Sequence, residues 1–486
     1  MSEFSDTCRT LIERSNTNVY QIAKASGLDR TTLQKMIQGK RLPSRDFVDT
    51  FISYLYINQS EKEELQRLFL IEKVGKDVFL CRQGVEHLLR DFADVKISLH
   101  AGTWQRKIRI APEGNAPNGF VSRALMKADV IDAIRYVVIG AFETSESVEI
   151  YMDMFEQAVC AMQQIIRELQ AGREDVSVHQ YLKLERGPEV CGGTEGNLKA
   201  LEYIFPFAFV FSGNYDVFYS YVRPGGAEED FTLWPHYIVT DRHVLLLSED
   251  ASAGLLIENR AAASGFISEI KEMRKRCKPF FSYAGTAGEA LRHYASVAAS
   301  ARLVWSFEGS PCVAELLMDF LKTEEFREEE IVQSYLGAYE HIRKDVSCGE
   351  YRRISGFDGM EDFLKKGGLP GVFGQYTGII PEYLRPDMAR KYRQNMEARR
   401  NEYLLRPETE HLARDLNIEL YEPDKIMICS MQKDDPFGCL YVEEPGMYRV
   451  FADYFETLIE EGRVYGAEES SEVFRRKCEE ILGVPA

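Results

Sequence analysis

Between Asn18 and Arg45 six basic side chains, Lys24, Arg30, Lys35, Lys40, Arg41 and Arg45, stand against one acid, Asp29, a net charge of +5. Hydroxyl and carboxamide groups are interleaved with them, so that Arg30, Thr31, Thr32, Gln34, Lys35, Gln38, Lys40 and Arg41 lie close together in the chain. The cations attract phosphate, and the amides and hydroxyls add directional hydrogen bonds. The whole chain carries −18, so attraction to a polyanion is local and the acidic remainder opposes a broad, non-specific grip. Binding through this stretch should weaken steeply with salt.

Two short helices joined by a glycine turn are the elements that must position these groups. Asn18 and Asp29 supply side-chain oxygens where each helix begins. Ala23 is small where the helices cross, Gly27 gives the turn its backbone freedom, and Leu28, Leu33 and Met36 face inward. In this order, and closing on Gly39-Lys40-Arg41-Leu42-Pro43, residues 18–43 resemble the Xre/Cro repressor-type helix-turn-helix family of transcription regulators. The resemblance covers roughly the first 75 residues. It implies a second helix lying in the major groove of duplex DNA, with Arg30, Thr31, Thr32, Gln34, Lys35 and Gln38 at base edges and Lys40 and Arg41 on phosphates. The family usually opens its first motif helix with Gln, and this chain has Val19 there. One such motif reads few bases, so the resemblance also implies a homodimer on paired half-sites.

At 486 residues the chain is several times longer than a DNA reader requires, and a composition of 45% hydrophobic and 28% charged residues supports sizeable cores. The division read from the pattern is a reader at 1–75, a helical connector at 76–93, a first α/β sensor lobe at 94–310, and a second lobe with C-terminal helices at 311–486. The fold class is therefore an all-α N-terminal domain of about five helices followed by a large α/β region of two related lobes. The ten cysteines are scattered, with no CxxC pair, which argues against a disulfide framework and a zinc site and fits a reducing cytoplasm. No apolar run reaches membrane-spanning length, and the N-terminus opens on polar residues.

Pro43-Ser44 starts a helix through Phe47, Phe51 and Leu55, and Ser60-Glu61-Lys62-Glu63 has the form of a capping box that starts another. Beyond Gly75, Val78, Val85, Leu88, Leu89 and Phe92 continue a helical stripe that either packs on the large domain or pairs with its copy. Strands are expected at Val95 to Leu99, Ser147 to Met152, Ser177 to Leu184, Ala208 to Phe211, Val217 to Val222, Tyr237 to Thr240 and Val244 to Leu247. Helices are expected at Ala124 to Phe142, Phe155 to Leu169, Ala261 to Cys277, Ala287 to Trp305, Val313 to Lys322 and Glu329 to Ile342.

An internal repeat organises this region. WPHYIVTDRHVLLLSEDASAGLLIENRAAASGFISEIKEM aligns with NIELYEPDKIMICSMQKDDPFGCLYVEEPGMYRVFADYFETL. In each, a strand reaches Asp241 or Asp424 and a second ends at Ser248 or Ser430. A third starts at Gly254 or Gly438 and ends at Glu258 or Glu443, and Phe266 or Phe451 follows in a helix. The pattern predicts two lobes about a pseudo-twofold, with a cleft for a ligand. The first repeat half is distantly similar to the duplicated phospholipase-D-like fold. That family's chemistry needs His with Lys two residues on, and none of the eight histidines has one, so the resemblance implies a non-catalytic, effector-binding descendant.

GxxxxGK[ST], GxGxxG, GxSxG and HExxH are absent, and no cofactor is implied. The glycine clusters at Gly192 to Gly196 and Gly367 to Gly371 read as loops. The aromatic run from Tyr203 to Tyr221 reads as a strand pair about Ser212-Gly213-Asn214. Its functional reading is a pocket lined by Tyr215, Tyr219, Tyr221 and Trp234, with Arg223 and Arg242 meeting an acidic effector. The chain thus reads as a cytoplasmic, one-component, sequence-specific DNA-binding regulator with a C-terminal ligand-sensing and dimerisation region, and not an enzyme. The alternatives are an enzyme carrying a helix-turn-helix appendage, or a regulator whose large domain docks on a protein partner.

Overall fold

The structure, a computed structural model, describes residues 2–15, 17–98, 121–126, 129–144, 147–153, 175–185, 195–210, 214–222, 234–310, 322, 330–347, 349–368, 379–413, 416–430 and 438–483. A helical N-terminal region precedes an α/β region with two mixed sheets. The chain divides into two compact units, Met1–Gln83 and Gly84–Ala486.

In the first unit, α1 (Glu3–Arg14), α2 (Val19–Ser26), α3 (Arg30–Ile37), α4 (Arg45–Ser53) and α5 (Gln59–Val74) close on one core. Phe4, Cys8 and Leu11 meet Ile22, Ala23, Leu33, Met36, Phe51, Leu65 and Phe69 there. Ser2, Asn18, Asp29, Ser44 and Asn58 each accept a hydrogen bond from the amide three residues on, which satisfies a helix-start donor that would otherwise lack a partner. The capping box lies two residues earlier than the sequence pattern places it. Asn58 accepts from the Glu61 amide at 2.9 Å, and the Glu61 carboxylate accepts from the Asn58 amide at 3.0 Å. Ser60 to Glu63 matches the same pattern, but the earlier frame starts the helix sooner and leaves Leu65, Leu68 and Phe69 facing inward.

Helix α6 (Lys76–Ser98) continues across the boundary between the units. The strand expected at Val95 to Leu99 is helix as far as Ser98, because the buried stripe Val78, Cys81, Val85, Leu88 and Leu89 keeps helical spacing and no breaker follows it.

In the second unit, the first sheet has the order β1-β7-β6-β5-β2-β3-β4-β8, from β1 (Val121–Met126), β2 (Val148–Asp153), β3 (Val176–Glu185), β4 (Tyr215–Val222), β5 (His236–Val239), β6 (His243–Leu247), β7 (Ala253–Glu258) and β8 (Lys278–Pro279). The second has the order β12-β11-β10-β13-β14-β15-β9, from β9 (Phe281–Ala284), β10 (Arg302–Glu308), β11 (Arg352–Ser355), β12 (Glu402–Leu404), β13 (Leu416–Glu422), β14 (Lys425–Ser430) and β15 (Gly438–Glu443). Without β8 the two orders are the same, strand for strand and in chain order. Pairing senses agree too: β2-β3-β4 and β10-β11-β12 are parallel, and β5 and β13 join them antiparallel. The meanders β5-β6-β7 and β13-β14-β15 are the two halves of the sequence repeat, with third strands ending at Glu258 and Glu443.

Among the described residues the α-helices of this unit after α6 are α7 (Val130–Thr144), α8 (Glu195–Val210), α9 (Arg260–Arg274), α10 (Ala287–Ser300), α11 (Glu330–Val346), α12 (Asp358–Lys366), α13 (Arg385–Arg399), α14 (Pro445–Glu460) and α15 (Ala467–Leu482). Three expectations are corrected. The strand expected at Ala208 to Phe211, with the aromatic strand pair, is helix α8 as far as Val210. Its buried residues Leu198, Leu201, Ile204, Phe205 and Ala208 recur every three or four positions, a helical period that the aromatic content masks. The helix expected from Ala124 begins only at Val130, because residues 124–126 pair with β7. The helix expected to Trp305 stops at Ser300, and Arg302–Glu308 is a central strand whose buried side chains satisfy either period over so short a run. The helices expected at Phe155 to Leu169 and Val313 to Lys322 lie, apart from Lys322, outside the described residues. No helix among the described residues is long and apolar enough to cross a membrane.

Candidate nucleic-acid interface

The α2–α3 turn is fixed by three local interactions. Asn18 caps α2 by accepting from the Gln21 amide at 3.0 Å. Gly27 closes α2 with φ of +74°, in the left-handed region, and its amide reaches the Ala23 carbonyl at 3.0 Å. Asp29 then caps α3, accepting from both the amide and the hydroxyl of Thr32 at 2.7 Å. These bonds, helped by the Arg41 charge, hold the Asp29 carboxyl below its usual value, so the cap stays ionised. At the far end, the Arg9 guanidinium donates to the Ile37 carbonyl at 3.0 Å and ties α3 to α1.

Leu33, Met36 and Ile37 bury one face of α3. Arg30, Thr31, Gln34, Lys35 and Gln38 are exposed on the other, and Lys40 and Arg41 are exposed just beyond it. Thr32 is half-buried with its hydroxyl committed to Asp29. Seven of the eight residues singled out from the sequence therefore form one solvent-facing cationic and polar surface. One further feature was not legible: the Arg30 guanidinium lies over the Tyr20 ring, 5.6 Å from its centroid.

Of the residues singled out as a ligand pocket, the structure brings the three tyrosines together and sets Arg242 apart from them. Tyr215, Tyr219 and Tyr221 share one face of β4, but their hydroxyls already have partners. Tyr215 donates to Gln180, Tyr221 to the Glu444 carboxylate, and Tyr219 to the Glu443 carbonyl at 3.3 Å. The last two bonds join the first sheet to the end of β15 and the start of α14. Arg242 sits in the β5–β6 turn, separated from β4 by β5, β2 and β3, and pairs with Glu258 at 2.7 Å. Trp234 is half-buried ahead of β5, and Arg223 lies outside the described residues.

Buried charge has collected instead where each antiparallel meander joins the parallel strands. In the first sheet His236 Nδ1 is 2.8 Å from Asp153, which also accepts from the Tyr237 amide at 2.9 Å. Burial holds Asp153 above its usual value against the pull of His236. Burial also disfavours the charged imidazole, but the Asp153 bond and charge outweigh it and raise His236. In the second sheet Arg353 pairs with Glu308 at 3.2 Å and Glu402 at 3.0 Å, and Tyr392 donates to Glu402. Beside them burial pushes Glu419 up to about 7, against the hydrogen bond that Tyr421 donates. Aligning the repeats on Asp241 and Asp424 sets His236 against Glu419, which is the one sequence signal that could have found this relation.

No family model matches the chain, and no curated protein sequence does. Solved structures that match include TrmBL2, an archaeal chromatin protein described as showing a novel mode of DNA binding, at 10% identity and a TM-score of 0.21, over 54% of this chain and 87% of that one. They also include the polyphosphate kinase from Porphyromonas gingivalis, at 10% identity and a TM-score of 0.20, over 70% of this chain and 47% of that one. Likeness at this level carries no argument about function.

Proposed function

We propose that this protein is a sequence-specific DNA-binding regulator of the helix-turn-helix kind. Its first unit reads duplex DNA through α3, and its α/β region senses an effector and pairs two copies of the chain. The observation that carries the reading is the outward face of α3: Arg30, Thr31, Gln34, Lys35 and Gln38, continued by Lys40 and Arg41, on a helix whose orientation is fixed by caps at its start and by Arg9 at its end. Side chains with these donors and acceptors suit base edges, and the two terminal cations suit phosphates.

The shared strand order supports two lobes that arose by duplication. On this reading they form a sensor and not a catalyst. Helix α6 supplies a route between sensing and reading. Just past the unit boundary Gly84 lies so close to α8 of the first lobe that a Cβ there would meet Leu198 at 2.9 Å. Glu86 accepts from Arg463, at 2.7 Å, and from Tyr454 of the second lobe at 3.2 Å. An effector that binds one arrangement of the lobes better than another would act on this helix.

The test is titration of the whole chain against random-sequence duplex at two ionic strengths, beside Lys40→Ala/Arg41→Ala. Binding should weaken with salt, and the variant should bind all sequences less tightly with a shallower salt slope. Absence of duplex binding at low salt would overturn the reading.

A further inference from the structure

Tyr20 is the second residue of an eight-residue helix whose buried side chains are Ile22 and Ala23, and the residue is 56% exposed. So large an aromatic group held in water does nothing for the core. Its neighbour is Arg30, the first residue of α3, whose guanidinium carbon stands 5.6 Å from the ring centroid, inside the reach of a cation–π contact. Asp29, the acid next to Arg30 in sequence, is turned to Thr32, and no ion pair engages Arg30 among the described residues. Among the described residues the Tyr20 ring is thus a partner for this guanidinium.

We propose that Tyr20 is a positioning residue for sequence reading: its ring holds the Arg30 guanidinium in place before DNA arrives. The proposal rests on the assignment of α3 as the DNA reader. An arginine loses much rotamer freedom when it binds, and restricting it beforehand lowers that cost. A tyrosine suits the task because it has few torsions of its own, and a face-on contact leaves the guanidinium N–H edge free to donate to a base such as guanine. Tyr20 should therefore contribute to base preference through Arg30 and not through a contact of its own.

The experiment uses the whole chain and a duplex enriched by the wild type from a random pool, with a second duplex changed at the base that Arg30→Ala ceases to discriminate. Affinities are measured for the wild type, Tyr20→Leu, Tyr20→Phe, Arg30→Ala and Tyr20→Leu/Arg30→Ala, with thermal unfolding as a check on each fold. Tyr20→Leu should lose roughly two- to fivefold on the enriched duplex and less on the changed one, and Tyr20→Phe should keep wild-type affinity. In the Arg30→Ala background Tyr20→Leu should cost nothing further. An equal loss in both backgrounds, or no loss in either, would overturn the proposal while leaving DNA reading intact. A wild type that enriches no sequence would overturn the reader assignment, and the proposal with it.

Discussion

Apart from β8, the two lobes of the α/β region share strand order and pairing sense, yet they bury different things. After its third strand the second lobe packs α14 deeply, with Met447, Val450, Phe451, Tyr454, Phe455 and Leu458 all buried. The first lobe follows the same strand with α9, which buries only Ala263. Phe266 and Phe451, each eight residues beyond the acid that ends the strand, are 36% exposed and fully buried respectively. Part of the cover on α14 comes from α6, through the bond from Tyr454 to Glu86. The comparison teaches that backbone pairing preserves a fold while side chains follow their neighbours: the helix that meets α6 became core, and its counterpart stayed at the surface.

The sharpest way to break this comparison is to truncate the paired phenylalanines. Phe451→Ala should cost about 3–5 kcal/mol in urea unfolding, and the partly covered Phe266→Ala only about 1–2 kcal/mol. Equal costs would show that the lobes are packed alike. The buried charges give the next test. Arg353→Leu leaves Glu308 and Glu402 without their cation and should cost about 3–5 kcal/mol. His236→Ala should cost about 1–2 kcal/mol, because Asp153, which burial already holds above its usual value, can take up a proton.

Dependence on pH sharpens the same contrast. Glu419 rises from 4.5 to about 7 on folding, so the folded chain holds a proton that the unfolded chain releases. Stability from this group is present below about pH 4.5 and falls as pH climbs to 7 and beyond, by about 3 kcal/mol in all. Asp153 and His236 are raised as well and share that sign. Glu419→Gln should flatten most of the slope in unfolding midpoints taken between pH 5 and 8, and an unchanged slope would remove Glu419 as its source. A modest effect is expected at the α6 contact. Burial pushes Glu86 up, but the bonds from Arg463 and Tyr454 outweigh it and keep the carboxyl below its usual value. Glu86→Gln should cost about 1–2 kcal/mol in the same unfolding assay.

What could be read in the sequence was local. The caps at Asn18 and Asp29, the turn at Gly27 and the inward Leu33 and Met36 are set within a few residues of chain. The two meanders were legible because strand ends at Glu258 and Glu443 and the following phenylalanines keep one spacing. What escaped depends on distant partners or on ambiguous periods. α8 was hidden by strand-favouring aromatics, and β1 and β10 by brief runs that fit helix or strand. The tyrosines of β4 suggested a pocket because nothing in the sequence shows that Glu443 and Glu444 come to meet them. Arg353, Glu308, Glu402 and Glu419 sit on four different strands, and only the sheet brings them together. Tyr20 escapes a local reading because its partner is on the next helix.

The central claim is that α3 reads sequence and that the α/β region sets how two readers are spaced. Selection of bound duplexes from a random pool by the whole chain, repeated with Arg30→Ala and Gln34→Ala, tests it most directly. The account predicts enriched inverted half-sites at a fixed spacing, with preference relaxed at different base positions by each variant, at a cost of about 1–3 kcal/mol on the best site. No enrichment by the wild type, or the same motif undiminished in both variants, would contradict it.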